Sequence, residues 1–320
     1  MRALITGING FVGGYLAEHL LAQANWEVWG QSRSTMLHLP TLAGQVQLVC
    51  CDLMDRQATR QMLEQIQPDV IFHLSGQPFV PVAFENPADT LATNTLGALH
   101  LIQGLLDLQL ACRLVVIGTN EEYGAIQPED LPINEDTPLR PSNPYGVSKA
   151  AQTLLALQYH RSHKLDVVCM RPCTHIGPRQ NGRFVSAAFA RQVALIEAGR
   201  QPPLIEVGNL AAQRDFSDVR DIVAGYALAA TKATAGMVYN IGSGNAIAVR
   251  AILDDLLTIS GVQAEVRIAP HLLRPIDIPL VVCDPSRFRA ATGWQARYTL
   301  ADTLRDILDD WRERIRLEMN

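Results

Sequence analysis

The sequence predicts an α/β fold: a doubly wound, mostly parallel sheet with a smaller α/β lobe interleaved into its second half. Three observations carry that prediction. Short apolar runs alternate with amphipathic helical patterns through residues 1–171, the order that generates βαβ units. A glycine-rich turn stands between the first apolar run and the first helical pattern. Beyond residue 172 the alternation loses its regularity, yet no repeat or low-complexity linker intervenes. The later segments therefore return to the first sheet rather than forming a separate unit. At 320 residues the chain has room for two lobes of about 100–200 residues each.

Strands are expected at 3–6, 27–30, 47–50, 70–74, 113–118 and 167–171. The helical patterns between them cover 12–24, 56–65, 90–108 and 145–163, and each crossover should be right-handed. Residues 172–218 are rich in Pro, Gly and Arg around one helical stretch. A strand at 238–241, a helix at 249–260 and an amphipathic helix at 300–317 complete the chain. The expected domains are 1–171, which the chain rejoins around 216–241, and 172–320, mostly in the second lobe.

Composition sets outer limits on function. Hydrophobic residues make up 48% and charged residues 18%, an ordinary balance for an ordered globular protein. Twenty-seven Lys and Arg against 32 Asp and Glu give a net charge of -5. Non-specific nucleic-acid binding needs a basic surface and is not expected. Anionic small ligands remain open, because a few arginines can focus charge locally. No segment reaches the ~18 uncharged apolar residues of a membrane span; the longest candidate, 99–118, is broken by Asp107 and Arg113. The N-terminus opens directly in strand-like sequence, so no signal peptide is expected. The six cysteines, at 50, 51, 112, 169, 173 and 283, form no paired C-x-x-C set, so zinc or another metal is not expected. They read as buried free thiols of a reducing compartment, and a cytoplasmic location follows.

The run Gly7-Ile8-Asn9-Gly10-Phe11-Val12-Gly13 joins the first strand to the first helix. Gly7 permits the tight turn, Gly10 lets the backbone approach a pyrophosphate at the helix N-terminus, and Gly13 permits close helix–sheet packing. Glycines also serve plain turns, but the strand–turn–helix context is the one a dinucleotide site requires. This makes the sheet Rossmann-type. An acid about 20 residues further on would hold the ribose of NAD. Arg33 stands there instead and can pair with a 2′-phosphate, so NADP(H) is expected over NAD(H). Asp52-Leu53, after the third strand, can meet the adenine; alternatively Asp52 or Asp55 caps a helix.

Tyr145 and Lys149 lie at i and i+4 at the start of a predicted helix and so share one face. An ammonium near a phenol lowers its pKa, and a tyrosine tuned in this way can exchange a proton with a carbonyl or hydroxyl oxygen.

With these residues in place the chain resembles the extended short-chain dehydrogenase/reductase family, whose members modify nucleotide sugars. The likeness covers nearly the whole length. It rests on Gly7, Gly10 and Gly13, Asp52-Leu53, 73–77, Asn94, Tyr123-Gly124, Tyr145 with Lys149, Arg171-Pro172, 175–178, 214–216, Asp218-Val219 and Gly293-Trp294. It implies that Thr119, four residues before the Tyr-Gly pair, completes a catalytic set with Tyr145 and Lys149. It extends the cofactor-binding set to Asn9, Phe11, Val12, Leu74, Ser75, Gly76 and Arg171, beside Tyr145 and Lys149 themselves. Substrate contacts are implied at Gln77, Asn120, Glu121, Thr174 and Asn209. Arg214 and Arg274 match positions that hold a substrate diphosphate, a role that planar guanidinium groups suit. Asp277 can accept from a ribose hydroxyl pair.

The family often has Asn where this chain has Thr174, so sugar contacts there differ. The runs 77–87, 143–149, 175–178, 207–219 and Arg274-Pro275 look most like bacterial GDP-4-keto-6-deoxy-mannose reductases. The expected activity is therefore NADP(H)-dependent reduction of the C4 keto group of that GDP-linked sugar. Glu121 keeps the GDP-mannose 4,6-dehydratases as the alternative, since dehydration needs an added acid–base group. A related epimerase is a third possibility. From another class, the chain can be a catalytically silent NADP(H)-sensing regulator. Relatives pair through the helices predicted at 90–108 and 145–163, so a homodimer or larger homo-oligomer is expected.

Overall fold

The computed structural model describes residues 1–273 and 278–318. The first half runs β1 (Arg2–Thr6), α1 (Phe11–Leu21), β2 (Glu27–Ser32), β3 (Gln47–Cys50), α2 (Arg56–Ile66), β4 (Val70–His73), α3 (Val80–Glu85), α4 (Pro87–Asp107), β5 (Arg113–Ile117), α5 (Pro144–His163) and β6 (Val167–Pro172). The second runs β7 (Thr174–Ile176), α6 (Val185–Glu197), β8 (Leu204–Val207), β9 (Gln213–Asp218), α7 (Val219–Lys232), β10 (Val238–Ile241), β11 (Ala246–Ala248), α8 (Val249–Ser260), β12 (Glu265–Ile268), β13 (Leu280–Val281), α9 (Ser286–Thr292) and α10 (Leu300–Leu317).

Seven strands form the main sheet in the order β10-β6-β5-β4-β1-β2-β3, all parallel. The order reverses between β1 and β4, the point at which open α/β sheets bind ligands beyond their C-terminal edge. Both faces are covered. One core combines α1 and α7 with Phe288 and Trp294 from the far end of the chain. The other lies beneath α2, α4 and α5. Strands covered on both sides need apolar residues at successive positions rather than alternate ones, and β4 is buried at every position.

The second lobe has its own core between α6, α8 and α10 and a small sheet. That sheet centres on β9, flanked by β11 and β13 and also paired with β7. β8 and β12 form a separate pair. Among the described residues, no helix is long and apolar enough to cross a membrane.

The cysteine expectation needs correction. Cys173, just after β6, and Cys283, just after β13, form a disulfide with Cα atoms 6.6 Å apart. They are separated by 110 residues in sequence, and only the return of the chain beside β9 brings them together. Cys51, Cys112 and Cys169 are buried free thiols, whereas Cys50 is exposed.

Candidate active site

The glycine turn leaves β1 at the reversal point. Gly7 adopts φ +70°, and a Cβ on Gly13 would stand 2.5 Å from the Gly7 carbonyl oxygen, so these two positions exclude side chains on backbone grounds. The N-terminus of α1 has no side-chain cap and no acid in its first turn. Its partial positive charge is left for an exogenous anion. Arg33 is exposed just past β2, in a segment tied to the glycine turn by Asn9. The Asn9 side chain donates to Ser32 Oγ (3.0 Å) and the Met36 carbonyl (2.9 Å) and accepts from His38 N–H. An open helix terminus beside an exposed guanidinium fits a dinucleotide carrying an extra phosphate.

Gln31 organises this edge, and nothing in the sequence marked it. Its Oε1 accepts from Gly7 N–H and Ser75 Oγ, both at 3.0 Å, and its Nε2 donates to the Cys51 carbonyl at 2.6 Å. Thr6 Oγ1 accepts from the N–H groups of Leu74 and Ser75 at 3.1 Å, which sets the turn through Gly76. Val12 and Phe11 pack against the main core, with Phe11 also stacked on the His175 ring. Asp55, not Asp52, caps α2, leaving Asp52 exposed. Leu53 is buried in the core beneath α2, α4 and α5.

The catalytic candidates meet where β5 ends and α5 begins. Thr119 caps a single 3-10 turn, 120–122. Asn143 caps α5 by accepting from Gly146 N–H at 2.8 Å and donates to Glu121 Oε2 at 2.8 Å. Burial pushes the Tyr145 phenol above its ordinary range; the nearby Thr119 hydroxyl works against that shift and the Glu121 and Glu122 carboxylates add to it. The expected lowering of the Tyr145 pKa is thus reversed. The Lys149 ammonium donates to Gln152 Oε1 at 2.9 Å, and burial lowers its own pKa to about 8, opposed by Glu122. A phenol that keeps its proton at neutral pH is a proton donor, the form a carbonyl reduction consumes.

Arg171, expected at the cofactor, is not available to it. The guanidinium is buried, pairs with Glu122 at 2.8 Å and donates to the Tyr123 hydroxyl at 3.1 Å. His73, at the end of β4, bonds Thr6 Oγ1 through Nδ1 at 2.9 Å. Burial, reinforced by Lys149, pushes it down to about 3 and keeps it neutral.

The substrate candidates are less concentrated. Asn120 lies next to Thr119 and is half-buried. The Gln77 side chain is engaged by Thr90 (3.1 Å) and Phe79 N–H (2.5 Å). Thr174 is half-buried on β7 opposite Phe216 of β9. Arg214 lies two residues before Phe216, on the same face of β9, and donates to the Gln213 carbonyl at 2.8 Å. Asn209 is exposed in the turn before β9 and accepts from Ala211 N–H at 3.0 Å. Arg274 and Asp277 lie outside the described residues. The lobes are fastened by Arg179, which binds Glu18 of α1 through two 2.7 Å contacts and stacks 3.8 Å from the Tyr15 ring centroid.

Comparison with known proteins gives consistent matches over the whole chain. A family model described as GDP-mannose 4,6 dehydratase matches residues 4–307. The GDP-6-deoxy-D-mannose reductase of Pseudomonas aeruginosa is 35% identical over 318 residues, covering 99% of each chain. A GDP-mannose 4,6-dehydratase of Yersinia enterocolitica is 27% identical over 349 residues, covering 96% of this chain and 92% of its own. Among solved structures, RMD from Pseudomonas aeruginosa complexed with NADPH has a TM-score of 0.85 at 34% identity, covering 98% of this chain and 99% of its own. A Thermus thermophilus UDP-glucose 4-epimerase in complex with NAD has a TM-score of 0.87 at 28% identity, with the same coverage.

Proposed function

The chain belongs to the GDP-mannose 4,6-dehydratase family, and we propose that within it this protein is an NADP(H)-dependent reductase. It converts the C4 keto group of GDP-4-keto-6-deoxy-mannose to a hydroxyl, giving a GDP-6-deoxyhexose such as GDP-rhamnose. The observation that carries this reading is the placement of Tyr145 and Lys149 one helical turn apart at the start of α5, beside the turn that Thr119 caps, in a chain 35% identical to a GDP-6-deoxy-D-mannose reductase over its whole length.

Bound NADPH supplies the hydride. Gly7, Gly10 and Gly13 with the α1 N-terminus would hold its pyrophosphate, Arg33 its 2′-phosphate, and Asp52, Leu74, Ser75 and Gly76 its remaining contacts. Thr119 orients the keto oxygen, Tyr145 delivers the proton to the oxygen that gains charge, and Lys149 stabilises the phenolate left behind. Arg214, with Arg274, would take the substrate diphosphate, and the same reading assigns substrate contacts to Asn120, Thr174 and Asn209.

One observation favours a second reading. The Glu121 carboxylate is anchored by Asn143 and close enough to Tyr145 to affect its proton, the position an added acid–base group for 4,6-dehydration needs. Incubation with GDP-mannose separates the two. A 4-keto product formed without added NADPH refutes the pure reductase and makes Glu121→Gln inactivating. Turnover of only the pre-formed 4-keto sugar, with NADPH oxidation, supports the reductase.

The same reading includes a homodimer through α4 and α5, supported by the exposed Leu91, Leu96, Val147 and Leu154 on these helices. Sedimentation as a monomer at micromolar concentration would contradict the dimer.

A further inference from the structure

Glu122 follows Glu121 on the 3-10 turn, yet its side chain is completely buried, at 0% exposure. A buried carboxylate is costly unless its oxygens are satisfied, and this one is tied to three separate elements. It accepts from Thr119 N–H on its own turn at 3.0 Å, from Thr153 Oγ1 of α5 at 3.1 Å and from Arg171 Nε of β6 at 2.8 Å. Arg171 in turn donates to the Tyr123 hydroxyl, which donates to Asn240 Oδ1 of β10 at 2.7 Å. Thr153 lies one helical turn beyond Lys149 and shares its face. The site even reserves space for the carboxylate: a Cβ on Gly118 would collide with Glu122 Oε1.

We infer that Glu122 is a positioning residue for this active site. Paired with Arg171 and bonded to Thr119 N–H and Thr153, it holds the Thr119 turn and the Tyr145–Lys149 face of α5 in one register. The inference rests on the catalytic reading of Thr119, Tyr145 and Lys149 given above. It has an electrostatic side as well. Burial drives Lys149 towards losing its proton, and the Glu122 carboxylate opposes that. The other titratable groups in this neighbourhood are Glu121 on the turn and Tyr123 just after it, Tyr145 on α5, His73 on β4, Cys169 and Arg171 on β6, and Tyr226 on α7. Burial keeps His73 and Cys169 neutral, so Glu122 and Arg171 form the charged pair behind the catalytic groups.

The chain has three lysines, Lys149, Lys164 and Lys232, so protein labelled with 13C at the lysine Cε gives three resonances that Lys164→Arg and Lys232→Arg assign. In Glu122→Gln the amide oxygen can still accept from Thr119 N–H and Thr153 Oγ1, but the bond to Arg171 Nε and the charge are gone. The Lys149 midpoint should then fall by about one pH unit, the usual effect of one nearby charge, while Lys164 and Lys232 stay in place. Steady-state kinetics should show a lower kcat, with its alkaline limb displaced in the same direction, and an unchanged KM for NADPH.

Should Glu122→Gln fail to fold with Arg171 unpaired, the double variant Glu122→Gln with Arg171→Leu removes both buried charges and should still show a Lys149 midpoint below wild type. An unshifted Lys149 midpoint overturns the inference, as does a rise in the KM for NADPH with kcat unchanged, or unfolding of both variants. Failure of the wild-type protein to reduce the 4-keto sugar would refute the reductase reading alone, because the lysine titration is made on the ligand-free chain.

Discussion

Replacing Lys149 with methionine should make the protein more stable while destroying its activity. The ammonium is 5% exposed and donates to Gln152 Oε1. Burial lowers its pKa from the ordinary 10.5 to about 8, which corresponds to roughly 3 kcal/mol of folding free energy lost to keeping the charge inside. Methionine fills similar volume without a charge. Leaving the Gln152 oxygen without its donor costs about 1 kcal/mol, so the variant should gain roughly 2 kcal/mol at pH 7.

The gain has a definite pH dependence. Below about pH 8 folded and unfolded chains both hold the proton, and wild type bears the full penalty. Between about 8 and 10.5 the unfolded chain binds a proton that the folded one has released, so wild-type stability rises with pH and the advantage of the variant shrinks. Urea unfolding at pH 7 and pH 9.5 measures both values. A variant less stable than wild type at pH 7, or a difference that does not narrow at pH 9.5, would refute the reasoning.

Tyr145→Phe removes one oxygen and should lower kcat by about 10²–10⁴-fold with little change in KM for NADPH, as steady-state kinetics will show. Because Tyr145 holds its proton well into the alkaline range, the wild-type kcat should decline above about pH 8, following the Lys149 charge, and a pH–rate profile checks this. Arg33→Ala should weaken NADPH relative to NADH by roughly 10- to 100-fold, the value of one charge-assisted phosphate contact, measured by fluorescence titration of both cofactors. Arg179→Ala cuts a half-exposed ion pair and a stacked ring; it should cost about 1 kcal/mol and lower the Tm by roughly 2–4 °C in a thermal melt.

The elements were legible wherever local pattern and burial agree. Every strand predicted in the first half exists, with ends within two residues of expectation, because parallel strands covered on both faces are short apolar runs. Helix α7 was not read. Its Ala-rich sequence is buried across much of its circumference, which removes the polar face that periodicity relies on.

Within the site, Gly7, Gly13, Tyr145 and Lys149 could be read from the sequence because backbone geometry or proton chemistry restricts the residue type, whereas Thr119 entered only through the family resemblance. Gln31, Glu122 and Gln152 were not, since each acts by joining segments that only the fold brings together. Arg171 shows the same limit from the other side: a motif arginine suggests an anion ligand, and here the anion is Glu122 of the same chain. The Cys173–Cys283 pairing was hidden by its long sequence separation.

The late arrival of β10 has a consequence for synthesis on the ribosome. When residue 171 has emerged, the sheet still ends at β6, whose backbone edge has no neighbour until residues 238–241 are made. The α1 face also lacks α7, and Phe288 and Trp294 complete that core later still. At 5–20 residues per second, the bare edge persists for roughly 3–14 s. An unpaired parallel strand beside an uncovered apolar face is prone to association, so the nascent chain needs shielding over that interval. A fragment ending at residue 171 should aggregate instead of folding as a small cofactor domain.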